Sequence, residues 1–233
     1  MWSRRWWLLK LAAALAALGA GKQGASLVAQ EPGARNANPA LAPVDDDRGL
    51  PRVLLIGDSI SIGYTLPVRE LLKGIANVHR IATNAGPTTK GVENIDAWLG
   101  KDKWDVIHFN WGLHDLKYMF DDLPQVDLGQ YEQNLNRLAG RLKQTGAALI
   151  WASTTPVPNE RVSPKRVPSD VARYNEAAAR VMARNQIPIN DLYHLALPKL
   201  GTLQQKDNVH FHPEGSRLLA EQVAAAIRKT LGK

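Results

Sequence analysis

The chain has 233 residues, 45% hydrophobic and 22% charged, enough for one α/β domain with a real core and ordinary for a globular protein. It has no cysteine, which excludes a thiol nucleophile, a disulfide framework and a cysteine-ligated metal. The formal charge of +7 includes Arg4, Arg5, Lys10 and Lys22; without these four, 25 basic residues face 22 acidic ones, a net of +3 that is too weak and too dispersed to argue for a nucleic-acid partner.

Residues 1–29 begin with basic residues, continue through an apolar segment from Leu11 to Leu18 and end in small residues, the layout of a signal peptide. The apolar segment is shorter than the roughly 20 residues a membrane span needs, so no stable membrane insertion is expected after cleavage. Ser3-Arg4-Arg5-Trp6-Trp7 resembles a twin-arginine signal; Sec and Tat export both fit, as does cleavage after Ala20 or Ala29. The expected location is periplasmic or secreted. Residues 30–50 are rich in Gly, Ala, Pro and Asn without a sustained apolar period and read as a linker, leaving a domain over 51–233.

In that domain, strands and helices alternate. Arg52–Ile56 reads as a strand that stops at Gly57-Asp58-Ser59. A helix is expected over Pro67–Ile75 with the proline in its first turn, then a strand over Val78–Ala82 and a short helix over Val92–Leu99. Trp104–Asn110 is the third strand. Leu128–Gln144 is a helix with Leu128, Tyr131, Leu135, Leu138 and Leu142 on one face. Ala147–Ala152 is the fourth strand, a Pro-rich loop follows, and Ser169 is placed as the cap of a helix ending at Asn185. A short strand over Ile187–Ile189 and a last helix over Pro213–Leu231 complete the chain. This alternation predicts a three-layer α/β/α sandwich around a five-stranded parallel sheet in the flavodoxin-like order 2-1-3-4-5. Ligands of such sheets bind beyond the carboxyl ends of the strands, at the switch point between strands 1 and 3.

Ser59 follows strand 1. After strand 3 comes FNWGLHDLK, with Asn110, His114 and Asp115 around Gly112; after strand 2 comes the Gly- and Thr-rich TNAGPTTKG; before the last helix comes DNVHFHP. A serine hydroxyl needs a base, and histidine has the right pKa. A D-x-x-H turn can set a carboxylate beside Nδ1 of its own histidine and leave Nε2 for the serine.

Gly57-Asp58-Ser59 and Asp207-Asn208-Val209-His210 resemble the first and last blocks of the SGNH (GDSL-type) hydrolases, a resemblance that spans residues 51–231. It implies Ser59 as nucleophile, His210 as general base and then acid, and Asp207 as the orienting partner of His210. It also implies an oxyanion hole made from the serine N–H, a glycine N–H after strand 2 and an asparagine side chain after strand 3. Two departures stand out. His114 occupies the asparagine slot, so either its ring N–H or the Asn110 amide serves as donor. The family's glycine falls at Thr89, so either Gly86 or Thr89 supplies the backbone N–H. Asp58 reads as a carboxylate that satisfies loop N–H groups beside the serine.

No cofactor and no metal is implied: His108 lies inside a strand, and no H-x-x-x-H or H-E-x-x-H spacing occurs. Trp111, at the end of strand 3, either packs in the interior or stacks on a sugar face. The expected function is an exported serine esterase for O-acyl, above all O-acetyl, esters of a small molecule or glycan. Lysophospholipase or thioesterase chemistry is the enzymatic alternative. A non-catalytic glycan-binding domain, motivated by His114, is the alternative from another class.

Overall fold

A computed structural model describes residues 38–233 except Phe120 and Glu160, so the leader expected over 1–29 lies outside the described residues. Five parallel strands, β1 (Arg52–Ile56), β2 (Asn77–Arg80), β3 (Val106–Phe109), β4 (Ala148–Ala152) and β5 (Ile189–Asn190), form one sheet in the order β2-β1-β3-β4-β5. The expected sheet order is therefore present. Val53, Leu54, Leu55 and Ile56 are all buried, because parallel strands covered on both faces are apolar throughout rather than alternating. Ile56 pairs with Phe109, so β1 and β3 end level with each other and their following loops meet.

The helices cover both faces. On one, α1 (Ser59–Leu71) packs on α7 (Pro213–Thr230); on the other, α2 (Thr88–Leu99), α3 (Leu128–Lys143) and α4 (Pro168–Asn185) lie side by side. The short α5 (Leu192–Ala196) and α6 (Leu200–Leu203) lead from β5 back to α7. Helix α3 buries Tyr131, Leu135, Leu138 and Leu142, the stripe its spacing predicts. Among the described residues no helix is long and apolar enough to cross a membrane.

Two local differences from the sequence reading have clear causes. Helix α1 begins at Ser59, not Pro67, because the Asp58 carboxylate accepts from the Ile60 N–H at 2.9 Å and starts the helix directly after β1. Pro67 then lies inside the helix, a placement that ordinarily costs about 3 kcal/mol. Buried Ile60, Tyr64 and Val68, four residues apart, hold the helix through it. Helix α4 begins with Pro168 as its first residue and Val167 as a cap without a side-chain bond, so Ser169 does not cap it.

Residues 38–50 are not a spacer. Ala40 is buried, and Arg69 donates to the carbonyls of Pro39 and Ala42 at 3.2 and 3.1 Å. Asn77 donates to the Asp47 carbonyl at 3.0 Å and accepts from the Asp47 N–H at 2.9 Å. Asp46 pairs with Arg52 and His79 at 2.8 and 2.6 Å. The folded unit thus includes the described residues from Asn38 onward.

Candidate active site

The turn from β1 into α1 presents Ser59 as the first residue of a helix. Its N–H has no partner within the helix, and the positive end of the helix dipole lies at its oxygen. Two interactions hold the turn in place. The Asp58 side chain caps the helix, and buried Arg80 donates from below to the carbonyls of Gly57 and Asp58 at 2.9 and 3.0 Å. A Cβ on Gly57 would lie 2.8 Å from Ser61, so this close strand-to-helix turn needs glycine. Asp58 is buried and serves this turn as its helix cap.

The loop before α7 brings His210 across the sheet ends to Ser59, with Nε2 2.8 Å from Oγ. The expected carboxylate is not at the other ring nitrogen. Nδ1 meets the Asn208 Oδ1 at 2.7 Å, and the same oxygen accepts from the His210 backbone N–H at 3.1 Å. Asp207 has a left-handed backbone, φ 52°, and its carboxylate meets the loop after β4 instead of the ring. There Oδ1 accepts from Asn159 at 2.8 Å and pairs with Arg161 at 3.1 Å, both on the Pro-rich loop after β4. Gln204 fastens the same two loops together, donating to the carbonyls of Pro156 and Val209 at 3.0 and 2.9 Å.

The oxyanion candidates separate by what their N–H groups already do. The Gly86 N–H donates to the Asn84 side chain at 2.8 Å, closing an Asx turn with Gly86 at φ 63°, so it is not open to a substrate. Thr89 is the second residue of α2, exposed, with an N–H that the helix leaves without an intrahelical partner. The Asn110 amide is turned into the sheet, donating to the Ala152 carbonyl at 2.8 Å and the Thr154 hydroxyl at 3.2 Å. Of the candidates considered, Gly86 and Asn110 are committed elsewhere.

His114 rides on the turn after β3. Gly112 opens that turn where a Cβ would lie 2.1 Å from the Thr154 hydroxyl, and Arg166 donates to the Leu113 carbonyl at 2.8 Å. Burial holds the His114 ring below its ordinary pKa; Asp58 pulls the other way, and Lys117, Arg166 and Lys90 push it down further. The ring is therefore neutral at working pH, with one N–H to give. It does not bond Asp115. The buried Asp115 carboxylate instead accepts from the Thr88 N–H at 2.8 Å and the Thr88 hydroxyl at 2.5 Å, fastening this turn to the start of α2.

Trp111 is fully buried, the packing reading and not the sugar-stacking one; a Cβ on Gly91 would lie 2.9 Å from its ring, so the indole occupies the space between β3 and α2. His108 is also fully buried. Its Nε2 meets the Asn190 amide at 3.1 Å, and burial lowers its pKa to about 3. Asp58, Ser61, Asn110, Leu113 and Thr155 help enclose a cavity of about 10 Å³ that neither Ser59 nor His210 lines. The larger 450 Å³ groove between β5 and α7 is lined by neither Ser59 nor His210. Sequence reasoning missed Asn208, Arg80, Arg166 and the Asn159–Arg161 pair. Asn208 stood in view inside the last block, but spacing alone cannot show which side chain of a turn reaches the ring.

The model of the GDSL-like lipase/acylhydrolase family matches residues 55–218. Among curated proteins none matches the chain. Among solved structures, the chain is similar to the acetyl xylan esterase AlAXEase, with TM-score 0.65 and 17% identity, over 76% of this chain and 99% of that one. It is similar to the lipase/acylhydrolase from Enterococcus faecalis, with TM-score 0.67 and 19% identity, over 77% and 96%. Axe2, an acetylxylan esterase from Geobacillus stearothermophilus, gives TM-score 0.63 and 18% identity, over 78% and 94%. At these identities the likeness speaks for the fold.

Proposed function

The chain belongs to the GDSL-like lipase/acylhydrolase family of serine ester hydrolases, and from that premise we propose that it is an exported esterase removing short acyl groups, above all acetyl, from a carbohydrate. The observation that carries the chemistry is the 2.8 Å approach of His210 Nε2 to Ser59 Oγ across 151 residues of chain. Since Nδ1 faces an oxygen acceptor, it carries the proton and Nε2 is the free base.

Ser59 Oγ gives its proton to His210 Nε2 and bonds to the ester carbonyl carbon. The resulting oxyanion is met by the Ser59 N–H, the Thr89 N–H and the neutral His114 ring N–H. Collapse breaks the carbon–oxygen bond to the alcohol, which leaves with the proton from His210. Water then gives its proton to His210 and adds to the acyl-serine, and the second collapse returns the proton to Ser59 and releases the acid. Each step uses groups of this chain and water alone.

The acetyl and carbohydrate readings draw on two structural neighbours that are acetyl xylan esterases. The export reading draws on the basic and then apolar order of residues 1–29. The test is hydrolysis of p-nitrophenyl acetate, butyrate and octanoate. The expected order is acetate first and octanoate last, with Ser59→Ala inactive on all three. Octanoate cleaved fastest would favour the lysophospholipase or thioesterase reading. Equal rates for Ser59→Ala and wild type would remove the serine mechanism and favour a binding domain.

A further inference from the structure

A carboxylate one residue away from the place where it is expected, with a carboxamide in that place, changes what the catalytic histidine can do. The Asn208 oxygen is identified by its partners. It accepts from the His210 backbone N–H, which can only donate, so Oδ1 and not Nδ2 faces that nitrogen. The other end of the amide points at Gln205 Oε1, with Nδ2 at 3.3 Å, as a donor should. The same oxygen lies 2.7 Å from Nδ1, so the ring must carry its proton there. An amide facing the ring with its NH2 would force the opposite tautomer and put a proton between Nε2 and the serine. Here that error is blocked by the main chain.

Asp207 is committed elsewhere by two partners on another loop, Asn159 and Arg161, and by its own left-handed backbone. Its carboxylate ties the His210 loop to the Pro-rich loop after β4.

We propose that Asn208 is the positioning residue of His210 in this enzyme, in the place the family gives to an aspartate, and that Asp207 acts as a clasp between two loops. The inference rests on the reading of Ser59 as nucleophile and His210 as base. A neutral acceptor fixes tautomer and ring angle as a carboxylate does, but it does not balance the charge of the imidazolium.

The experiment follows kcat and KM for p-nitrophenyl acetate against pH, using the full chain and the variants Asn208→Ala, Asn208→Asp, Asp207→Asn and Ser59→Ala. The charged and titratable groups around this loop include Lys206, Asp207 and His212 on the loop itself, Arg161 after β4, Asp58 before α1, His114 after β3 and Glu214 at the start of α7. Both Asn208 variants leave all of them in place, so a moved acidic limb reports position 208. Asn208→Ala is expected to lower kcat by about 10- to 100-fold with KM little changed. Asn208→Asp is expected to remain active and to move the acidic limb upward by about one pH unit, since a carboxylate favours the imidazolium. Asp207→Asn is expected to stay within about threefold of wild type with its acidic limb unmoved. A fall for Asp207→Asn as large as that for Asn208→Ala overturns the proposal, as does an unmoved acidic limb in Asn208→Asp. Should Asn208→Ala fail to fold, the two near-isosteric variants decide alone. Ser59→Ala as fast as wild type would sink the underlying serine reading instead, a separate outcome.

Discussion

At the scale of single residues, a neutral imidazole offers one N–H, and burial together with three nearby cations keeps His114 neutral. An asparagine amide does the same work with the same count of donors toward one oxyanion. His114→Ala should therefore lower kcat on p-nitrophenyl acetate by about 10²- to 10³-fold, about 3 to 4 kcal/mol, with KM little changed. His114→Asn should keep much of the rate. Steady-state kinetics on the two variants check this, and an undiminished His114→Ala enzyme would take His114 out of the oxyanion site. That Ser59 and His210 meet was legible in the sequence, because each follows or precedes an element whose end must lie at the mouth of the sheet. The partners of Asp207 depend on something local sequence does not contain. Its φ of 52° goes with partners on a separate loop, Asn159 lying 48 residues away. Gly86 and Asn110 were drawn off in the same way, one by an Asx turn and one by the end of β4.

At the scale of elements, the turn that carries His114 and the start of α2, which carries Thr89, are fastened together by one buried carboxyl. Asp115 is fully buried, and burial raises its pKa to about 7 against the bonds it accepts from Thr88. The folded pKa lies above the unfolded one, so the stabilising contribution is fully present below about pH 4 and is lost as pH rises through about 7, on the order of 4 kcal/mol for a shift of that size. Asp115→Asn should flatten this slope. The check is denaturant unfolding of both proteins at steps between pH 4 and 8, read as the difference between the two curves. Other carboxylates act in the opposite sense in both proteins: Asp191 is held below its usual range, with His194 and Ser153 as partners. A difference that does not change with pH would show that Asp115 titrates alike in folded and unfolded chains. Strand and helix order were readable from period, but the starts of α1 and α2 were not. Caps decided them: Asp58 begins α1 eight residues before Pro67, and Thr88, bound by Asp115, begins α2 four residues before Val92.

At the scale of the whole molecule, the segment before β1 bears on stability. Its composition, rich in Ala, Pro and Asp, suggests a spacer, because nothing in residues 38–50 has a sustained apolar period. What binds it is polar. Asn77 is buried and spends its amide on Asp47 and Leu50, and Arg69 spends its guanidinium on the carbonyls of Pro39 and Ala42. Cutting the chain before Pro51 would leave the Asn77 amide without these partners, at about 1 to 3 kcal/mol for a buried polar group, and would uncover the side chains beneath Ala40. The ordering entropy regained by the freed residues offsets part of that loss. A protein beginning at Pro51 should therefore be less stable than one beginning at Asn38 by about 2 kcal/mol, while the site, at the opposite end of β1, keeps its arrangement. Urea unfolding of the two proteins measures the first claim, and kcat on p-nitrophenyl acetate under native conditions measures the second. Equal unfolding midpoints would mean that residues 38–50 only lie along the domain. A lower midpoint with unchanged kcat would mean that this segment stabilises the fold without a part in the chemistry.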